Sequence, residues 1–139
     1  MAKFKTKFDS LVKLKKVKID EVENEMSKLN QTLFKAQEEL EKMKQEFSEF
    51  QYPTSGNFSV LQQFKILQQA FLNQINQQQI NVNMLEKQKE HLNMKLKEVS
   101  LEYEKFKYLQ GEEIKKEIKK IKDQEAKNMD EIALMLFKG

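Results

Sequence analysis

Two pairs of carboxylates and one histidine are the side chains whose spacing could support proton transfer or metal binding. Glu38 is followed by Glu39, Glu112 is followed by Glu113, and His91 is the single histidine. Neighbouring carboxylates serve as general acid and base only where a concave pocket moves their pKa values apart. A single histidine in a chain without cysteine provides neither a His-based metal cluster nor a thiolate ligand or nucleophile.

The sequence also lacks the short motifs that carry phosphate or peptide chemistry. It contains no glycine-rich phosphate loop and no HExxH segment. The adjacent carboxylates fall in segments with the pattern of solvent-exposed helices, so we expect no pocket around them. We therefore predict a protein that is not an enzyme, needs no cofactor or metal, and takes no small-molecule substrate.

The composition predicts long helices in place of a compact globular core. The chain has 139 residues, of which 39% are hydrophobic and 34% charged, with three Gly and one Pro. A globular core of this length normally needs more apolar side chains, and its loops need more turn residues. Pro53 and Gly56 lie close together, and these residue types interrupt helices. They separate two helix-compatible segments of about 50 and about 80 residues.

Apolar residues recur in both segments at alternating steps of three and four, which is the spacing of a coiled-coil seam. The seam residues of the first segment are Ile19, Val22, Met26, Leu29, Leu33, Ala36, Leu40, Met43, Phe47 and Phe50. Those of the second are Phe64, Leu67, Phe71, Ile75, Val82, Leu85, Leu92, Leu96, Val99, Tyr103 and Phe106. We predict an all-α fold, a single domain over 1–139 with two long helices in an antiparallel coiled-coil hairpin. Helix 1 is expected over about 4–51, the turn at 52–57 and helix 2 over about 58–137.

The second helix is predicted to continue beyond the first as an unpaired C-terminal extension. Folding about the turn pairs residues whose numbers sum to roughly 109, so Phe4 is expected near residue 105. Beyond Phe106 the seam spacing breaks at Gln110, and it resumes in a new register with Ile114, Ile118, Ile121, Met129, Ile132 and Leu136. An exposed apolar stripe of this size indicates binding to another protein or self-association.

The start of the chain is strongly basic. Residues 1–18 hold seven Lys against one acid, Asp9. Together with Phe4, Phe8 and Leu11 they could meet anionic lipid, nucleic acid or an acidic protein surface. All 25 basic residues of the chain are lysine, and nucleic-acid recognition favours arginine and stacking aromatics, so we expect no nucleic-acid partner.

The segment after the turn is rich in amides and almost uncharged. Twelve of the 22 residues from Gln62 to Asn83 are Gln or Asn. One seam can bury Phe64 and Phe71 but cannot also bury Phe58, Ile66, Leu72 and Ile80, which lie on other faces of the same helix. We therefore expect a protein-binding surface near the turn.

Two short motifs and the overall pattern resemble FliJ, the small coiled-coil family of the flagellar type III export apparatus. Gln62-Gln63-Phe64 opens the second helix as in that family, and Met129-Asp130-Glu131 with the preceding Lys127 resembles its C-terminal signature. The Phe4-Lys5-Thr6-Lys7-Phe8 start is similar too. The resemblance covers nearly the whole chain and implies a fold like the antiparallel coiled coil of the rotary ATPase gamma subunit.

The resemblance implies a cytoplasmic protein associated with the inner-membrane export gate. FliJ-like proteins insert the end with both termini into the ring of the export ATPase FliI, and their tip engages the cytoplasmic region of the gate protein FlhA. The ATPase regulator FliH and substrate chaperones are further expected partners. The implied gate-binding residues are Met43, Phe47, Phe50, Phe64, Phe71 and Ile75. The implied ATPase-binding residues are Phe4, Phe8, Leu11, Ile118, Ile121, Met129, Asp130, Glu131, Ile132 and Leu136.

Three alternatives remain open at this level. The chain could be the equivalent stalk of a virulence type III secretion system, which has the same chemistry. A prefoldin-like hairpin chaperone normally carries strands between its helices, for which a six-residue turn leaves no room. An adaptor for membrane or nucleic acid would use the basic N-terminal segment, and its binding would weaken steeply with salt.

Overall fold

The computed structural model describes residues 5–53 and 56–138 of the chain, and all its regular elements there are helices. Helix α1 spans Asp9–Ser48 and helix α2 spans Phe58–Lys138. The two helices pack against each other in antiparallel directions, which confirms the predicted all-α helical hairpin. The contacts divide the chain into two units. The terminal unit is Met1–Asp20 with Lys97–Gly139, and the turn unit is Glu21–Leu96.

The core of the turn unit is the predicted seam. Its buried side chains are Leu33, Ala36, Leu40, Ile75 and Val82, and half-buried Met43, Phe47, Phe71 and Leu85 pack against them. Val22 in the same unit is completely buried. These residues alternate at steps of three and four along each helix, so both helices turn one stripe toward the other and bury it.

Gln78 is one of the polar side chains that interrupt this seam. Gln78 lies between Ile75 and Val82 at seam spacing, and its Nε2 donates a 2.9 Å hydrogen bond to the backbone carbonyl of Ala36 on α1. Ala36 is the smallest seam residue of its helix, so the two backbones leave room there for a longer side chain. An amide in a seam is stable only with a partner, and this partner exists at one alignment of the helices.

In both units the observed pairing of residues between the helices differs from the predicted one. Phe47 stacks on Phe71 with ring centroids 5.8 Å apart, whereas the expected pairing puts residue 62 opposite Phe47. In the terminal unit, Phe8 lies 6.3 Å from Phe106 where about residue 101 was expected. The cause near the turn is an early end of α1. Phe50 and Tyr52, beyond its last turn, run alongside the start of α2 and pack on Phe64 at 4.9 and 4.7 Å.

Local hydrogen bonds explain the helix ends. The Ser48 hydroxyl donates to the Gln45 carbonyl at 2.6 Å, and α1 ends at Ser48. The sequence predicted a later end, at about residue 51, just before Pro53. Helix α2 is capped by Asn57, whose Oδ1 accepts from the Val60 amide at 3.0 Å. Gly56 precedes the cap with φ of +151°, a conformation that favours glycine.

In the terminal unit a polar cluster forms the start of α1. The Asp9 carboxylate accepts from the Thr6 amide at 3.2 Å and from the Thr6 hydroxyl at 2.7 Å, and Thr6 is buried. The Thr6 hydroxyl in turn accepts from the Phe8 amide at 3.1 Å, so this cluster caps the N-terminus of α1, which begins at Asp9, later than the predicted residue 4. Across the helix pair, Gln110 Nε2 donates to Asp9 Oδ1 at 2.7 Å. The break in the seam at Gln110 therefore coincides with a polar bond between the helices.

Candidate protein-binding surfaces

The C-terminal part of α2 is exposed throughout. Every side chain from Ile118 to Phe137 is exposed, including all predicted members of the apolar stripe in that range. We use the name C-terminal stripe for Ile118, Ile121, Met129, Ile132 and Leu136. Asp130 and Glu131, two further predicted ATPase-binding residues, are exposed on the same helix. An unburied stripe over five helical turns is larger than the isolated apolar residues common on protein surfaces.

The last helical turns are apolar on every side, which the sequence analysis missed. Leu134, Met135 and Phe137 are exposed in addition to Ile132 and Leu136, and Phe137 reaches 92% exposure. Helical geometry puts Leu134 and Phe137 on the side opposite Ile132. The run of six apolar residues from 132 to 137 was visible in the sequence, but only members matching the seam spacing were counted. A helix of this kind is covered well only by a partner that surrounds it.

The basic start of the chain is partly packed. Phe8 and Leu11 are half-buried against the paired helix, and Phe4 lies outside the described residues. Lys5, Lys7, Lys13 and Lys16 are exposed. Exposed lysines next to the C-terminal extension give the terminal unit a surface that combines positive charge with apolar area.

The residues predicted to bind the export gate form one cluster, and most of it is internal. Phe47 stacks on Phe71, and Phe50 lies between Phe64 and Phe71, 4.9 and 6.2 Å from their ring centroids. Ile75 is buried, and Met43 packs against the core. Phe50 is the one of the six that is exposed, at 38%. These aromatic contacts hold the start of α2 to the end of α1, so the cluster shapes the surface near the turn.

An exposed apolar patch surrounds this cluster. Phe58 is 74% exposed, and it lines a groove with Tyr52, Leu61, Gln62 and Lys65. Leu67, which was assigned to the seam, is exposed because α1 has ended at that level. Lys65 is the one charged residue between 52 and 84, so the patch exposes apolar and amide groups with little charge.

A second groove lies between the helices in the middle of the turn unit. Its floor is formed by Leu29, Thr32 and Leu92, and its rim by Glu25, Lys28, Lys87, Gln88 and His91. We call it the basic groove. It occurs where Lys89, which the sequence analysis passed over, takes the seam position between Leu85 and Leu92. His91 is exposed on the rim and belongs to no cluster of metal-binding side chains among the described residues.

Comparison with models of known protein families decides which family the chain belongs to. The model described as Flagellar FliJ protein matches residues 4–139. The chain belongs to the FliJ family. No curated protein and no solved structure matches it.

Membership of the FliJ family makes the chain a component of flagellar type III protein export, a family without catalytic activity. The two motifs on which the sequence resemblance rests lie in different units of this structure. Gln62-Gln63-Phe64 is in the turn unit, where Phe64 packs under Phe50 and Tyr52. Met129-Asp130-Glu131 is in the exposed C-terminal part of α2, in the terminal unit.

Across the residues that the structure describes, neither helix has a stretch apolar enough to cross a membrane.

Proposed function

We propose that this FliJ-family protein is the stalk of the flagellar export ATPase, with the terminal unit inserted into the FliI ring and the turn unit contacting the cytoplasmic region of FlhA. Escort of substrate chaperones and contact with FliH are further roles that follow from the family alone. The observation that carries the proposal is the end of α2, where residues 132–137 are apolar on all sides and exposed.

The all-round apolar end supports a partner that encloses the helix. A flat surface or one partner helix would cover Ile132 and Leu136 and leave Leu134 and Phe137 in water. Burying an apolar side chain of this size contributes about 2 kcal/mol, so a partner that surrounds the helix gains substantially more than one that lies on one side. The mouth of a protein ring has this geometry.

Charge supports the orientation. Residues 5–18 carry six exposed or half-buried Lys against Asp9 and adjoin the C-terminal extension in the terminal unit. Such a concentration of one charge steers association with an acidic opening and accelerates it at low salt.

The exposed patch near the turn is better suited to contact the export gate than the largely internal cluster of predicted gate-binding residues. Phe47, Phe71 and Ile75 are needed to hold the helices together, while Phe58 and Leu61 are free to enter a partner. We therefore assign the predicted gate-binding cluster a supporting role and expect Phe50, with Phe58 and Leu61, to make direct contact.

Co-elution with the FliI hexamer in the presence of a non-hydrolysable nucleotide tests the ATPase contact. Truncation of residues 112–139 is expected to abolish co-elution while the paired helices stay folded. A sharper variant is Ile132→Ser with Leu136→Ser, which should weaken binding at least tenfold because two apolar anchors are lost.

The matched control is Asp123→Ser with Lys127→Ser, two exposed residues on the opposite side of the same helical segment. The control should co-elute like the unmodified protein, and circular dichroism should give the same helicity for both pairs. Equal co-elution of all three proteins would eliminate the C-terminal stripe as the ATPase contact.

A further inference from the structure

We propose that Met129 and Met135 form an oxidation-sensitive modification site, at which conversion of both thioethers to sulfoxides by hydrogen peroxide blocks the ATPase contact. This inference rests on the proposed stalk function and adds a regulation to it. It is carried by the exposure of the two side chains and by their position on either side of Ile132.

All the sulfur in this chain belongs to methionine. The sequence has seven Met and no Cys, so hydrogen peroxide meets no thiol and the thioethers are its targets. In the described part of the chain, the methionines with exposed side chains are Met84, Met94, Met129 and Met135. Met26 and Met43 are half-buried between the helices. Because an oxidant must reach the sulfur atom, we expect the exposed group to react first.

Met129 and Met135 differ from the other exposed methionines in their surroundings. Met129 lies about one helical turn before Ile132 and Met135 about one turn after it, so the three side chains form one continuous apolar surface. Met129 is 71% exposed and Met135 is 74% exposed. A partner that encloses this end of α2 and covers Ile132 therefore also covers both sulfur atoms.

The modification is a balanced two-electron oxidation of sulfur. A lone pair of the thioether attacks one oxygen of hydrogen peroxide, so that the S–O bond forms while the O–O bond breaks. The hydroxide that leaves takes the proton of the sulfur-bound hydroxyl and becomes water. Sulfur is oxidised, the peroxide is reduced, and the product is a methionine sulfoxide, which methionine sulfoxide reductases convert back to methionine.

A sulfoxide weakens an apolar contact because it places a polar oxygen on a side chain that was apolar before. Enclosing that oxygen costs free energy unless the partner supplies a hydrogen-bond donor, and the side chains next to it here are Ile132 and Leu136. Two sulfoxides on the two flanks of Ile132 are expected to weaken binding about tenfold or more. Because Met129 and Met135 are exposed, the packing of the helix pair stays intact.

Binding and oxidation oppose each other at this site. A thioether enclosed by the ring is inaccessible to peroxide, so a molecule already inserted is protected, whereas a free molecule is modified and does not insert. Oxidation therefore stops new stalks from joining the ATPase and spares those already in place.

Treatment of the free full-length chain with hydrogen peroxide tests the proposal. The peroxide is removed before the FliI ring and a non-hydrolysable nucleotide are added. Peptide mass spectrometry should find sulfoxide at Met129 and Met135 before Met26 and Met43. Co-elution with the ring should fall about tenfold or more, and should return after treatment with methionine sulfoxide reductases of both stereospecificities. Circular dichroism should give the same helicity before and after oxidation.

Double variants separate this pair from the exposed methionines of the turn unit, and each protein is compared with its own untreated form. Met129→Leu with Met135→Leu should lose much less co-elution on peroxide treatment than the unmodified protein does. The matched control is Met84→Leu with Met94→Leu, two exposed positions on the same helix, and it should stay as sensitive as the unmodified protein. Met129→Gln with Met135→Gln introduces polar groups without any oxidant and should weaken co-elution by itself.

Peroxide treatment of the assembled complex tests the protection. Met84 and Met94 should be oxidised as in the free chain, and Met129 and Met135 much more slowly. The proposal is overturned if a chain with sulfoxide at both positions co-elutes like the untreated chain, if the two react no faster than Met26 and Met43, or if the control variant is the protected one. Failure of the untreated chain to co-elute would instead overturn the stalk function, and this regulation with it.

Discussion

The side-chain amide of Gln78 donates a hydrogen bond of 2.9 Å to the backbone carbonyl of Ala36, across the seam of the turn unit. The buried apolar residues on either side of Gln78 recur with nearly the same spacing, so apolar burial alone would tolerate a shift of one helix along the other. The amide finds its carbonyl beside a small residue at one alignment. We infer that this bond selects the register of the turn unit.

Replacing Gln78 with Leu should relax the register without unfolding the protein. The hydrogen bond contributes about 1 kcal/mol, and the new apolar side chain offsets its loss. We expect a melting temperature equal to or above that of the unmodified protein. The distance distribution between spin labels at Glu41 and Asn76 should gain a second population.

Gln77→Leu is the control, because Gln77 is exposed one residue away. It should keep the single narrow distance distribution. A Gln78→Leu protein that is destabilised but retains one distance would show that the bond stabilises the hairpin without selecting its register.

The capping cluster of the terminal unit predicts a pH dependence. Hydrogen bonds from Thr6, above all from its hydroxyl, and from Gln110 lower the pKa of Asp9 below its usual value. A carboxyl group with a lowered pKa in the folded state stabilises the protein above its unfolded pKa. That contribution is lost as the pH falls through the folded pKa.

Carboxyl-detected NMR titration of Asp9 between about pH 6 and about pH 2 measures this directly. Thr6→Val should raise the pKa of Asp9 more than Gln110→Leu does, since the Thr6 hydroxyl is the stronger influence. Asp9→Asn should be less stable than the unmodified protein at neutral pH and should lose less stability on acidification. An Asp9 pKa that neither variant moves would contradict the assigned hydrogen bonds.

Two phenylalanines near the turn differ in burial, so we expect their replacement by alanine to differ in its effect on the stability of the protein. Phe71 stacks on Phe47 and packs against the core, so Phe71→Ala should destabilise the protein by about 3 kcal/mol, near the lower limit for a core phenylalanine. Phe58→Ala should change the free energy of unfolding by less than about 0.5 kcal/mol, because Phe58 is mostly exposed. Urea denaturation of both variants measures the difference, and equal destabilisation would contradict the described packing.

Much of this fold follows from apolar periodicity. The spacing of Val22, Leu33 and Leu40 on one helix and of Val82 and Val99 on the other identified side chains that are in fact buried. The exposure of Ile118 and Ile132 followed from the unequal lengths of the two segments, because the second helix continues beyond the part that the first helix can cover. Periodicity succeeds here because burial in a two-helix structure depends almost entirely on which face of the helix a residue occupies.

What the sequence could not supply was the alignment of the helices near the turn. It depends on where α1 ends and on Phe50 and Tyr52 folding along α2, which are tertiary choices that no helical period encodes. Leu67 was misassigned for the same reason. Lys89 and Gln78 were passed over because they are polar, although their positions in the ladder would have identified both.

Filling the seam at Lys89 should stabilise the turn unit. Lys89→Leu restores an apolar residue between Leu85 and Leu92 and should raise the free energy of unfolding by about 1 kcal/mol. Lys87→Leu changes the same residue type on the rim and should give no such gain. Thermal denaturation followed by circular dichroism distinguishes them, and equal stability of the two variants would contradict the seam assignment of Lys89.

Hydrogen–deuterium exchange of the protein with and without the nucleotide-bound FliI ring tests the stalk function most directly. The account predicts that backbone amides from about residue 118 to residue 137 exchange more slowly in the complex, since an enclosing partner orders and covers that part of α2. Amides of the core around Leu40 and Ile75 should be unchanged. Unaltered exchange over 118–137 in a mixture that contains the assembled complex would contradict insertion of this helix into the ring.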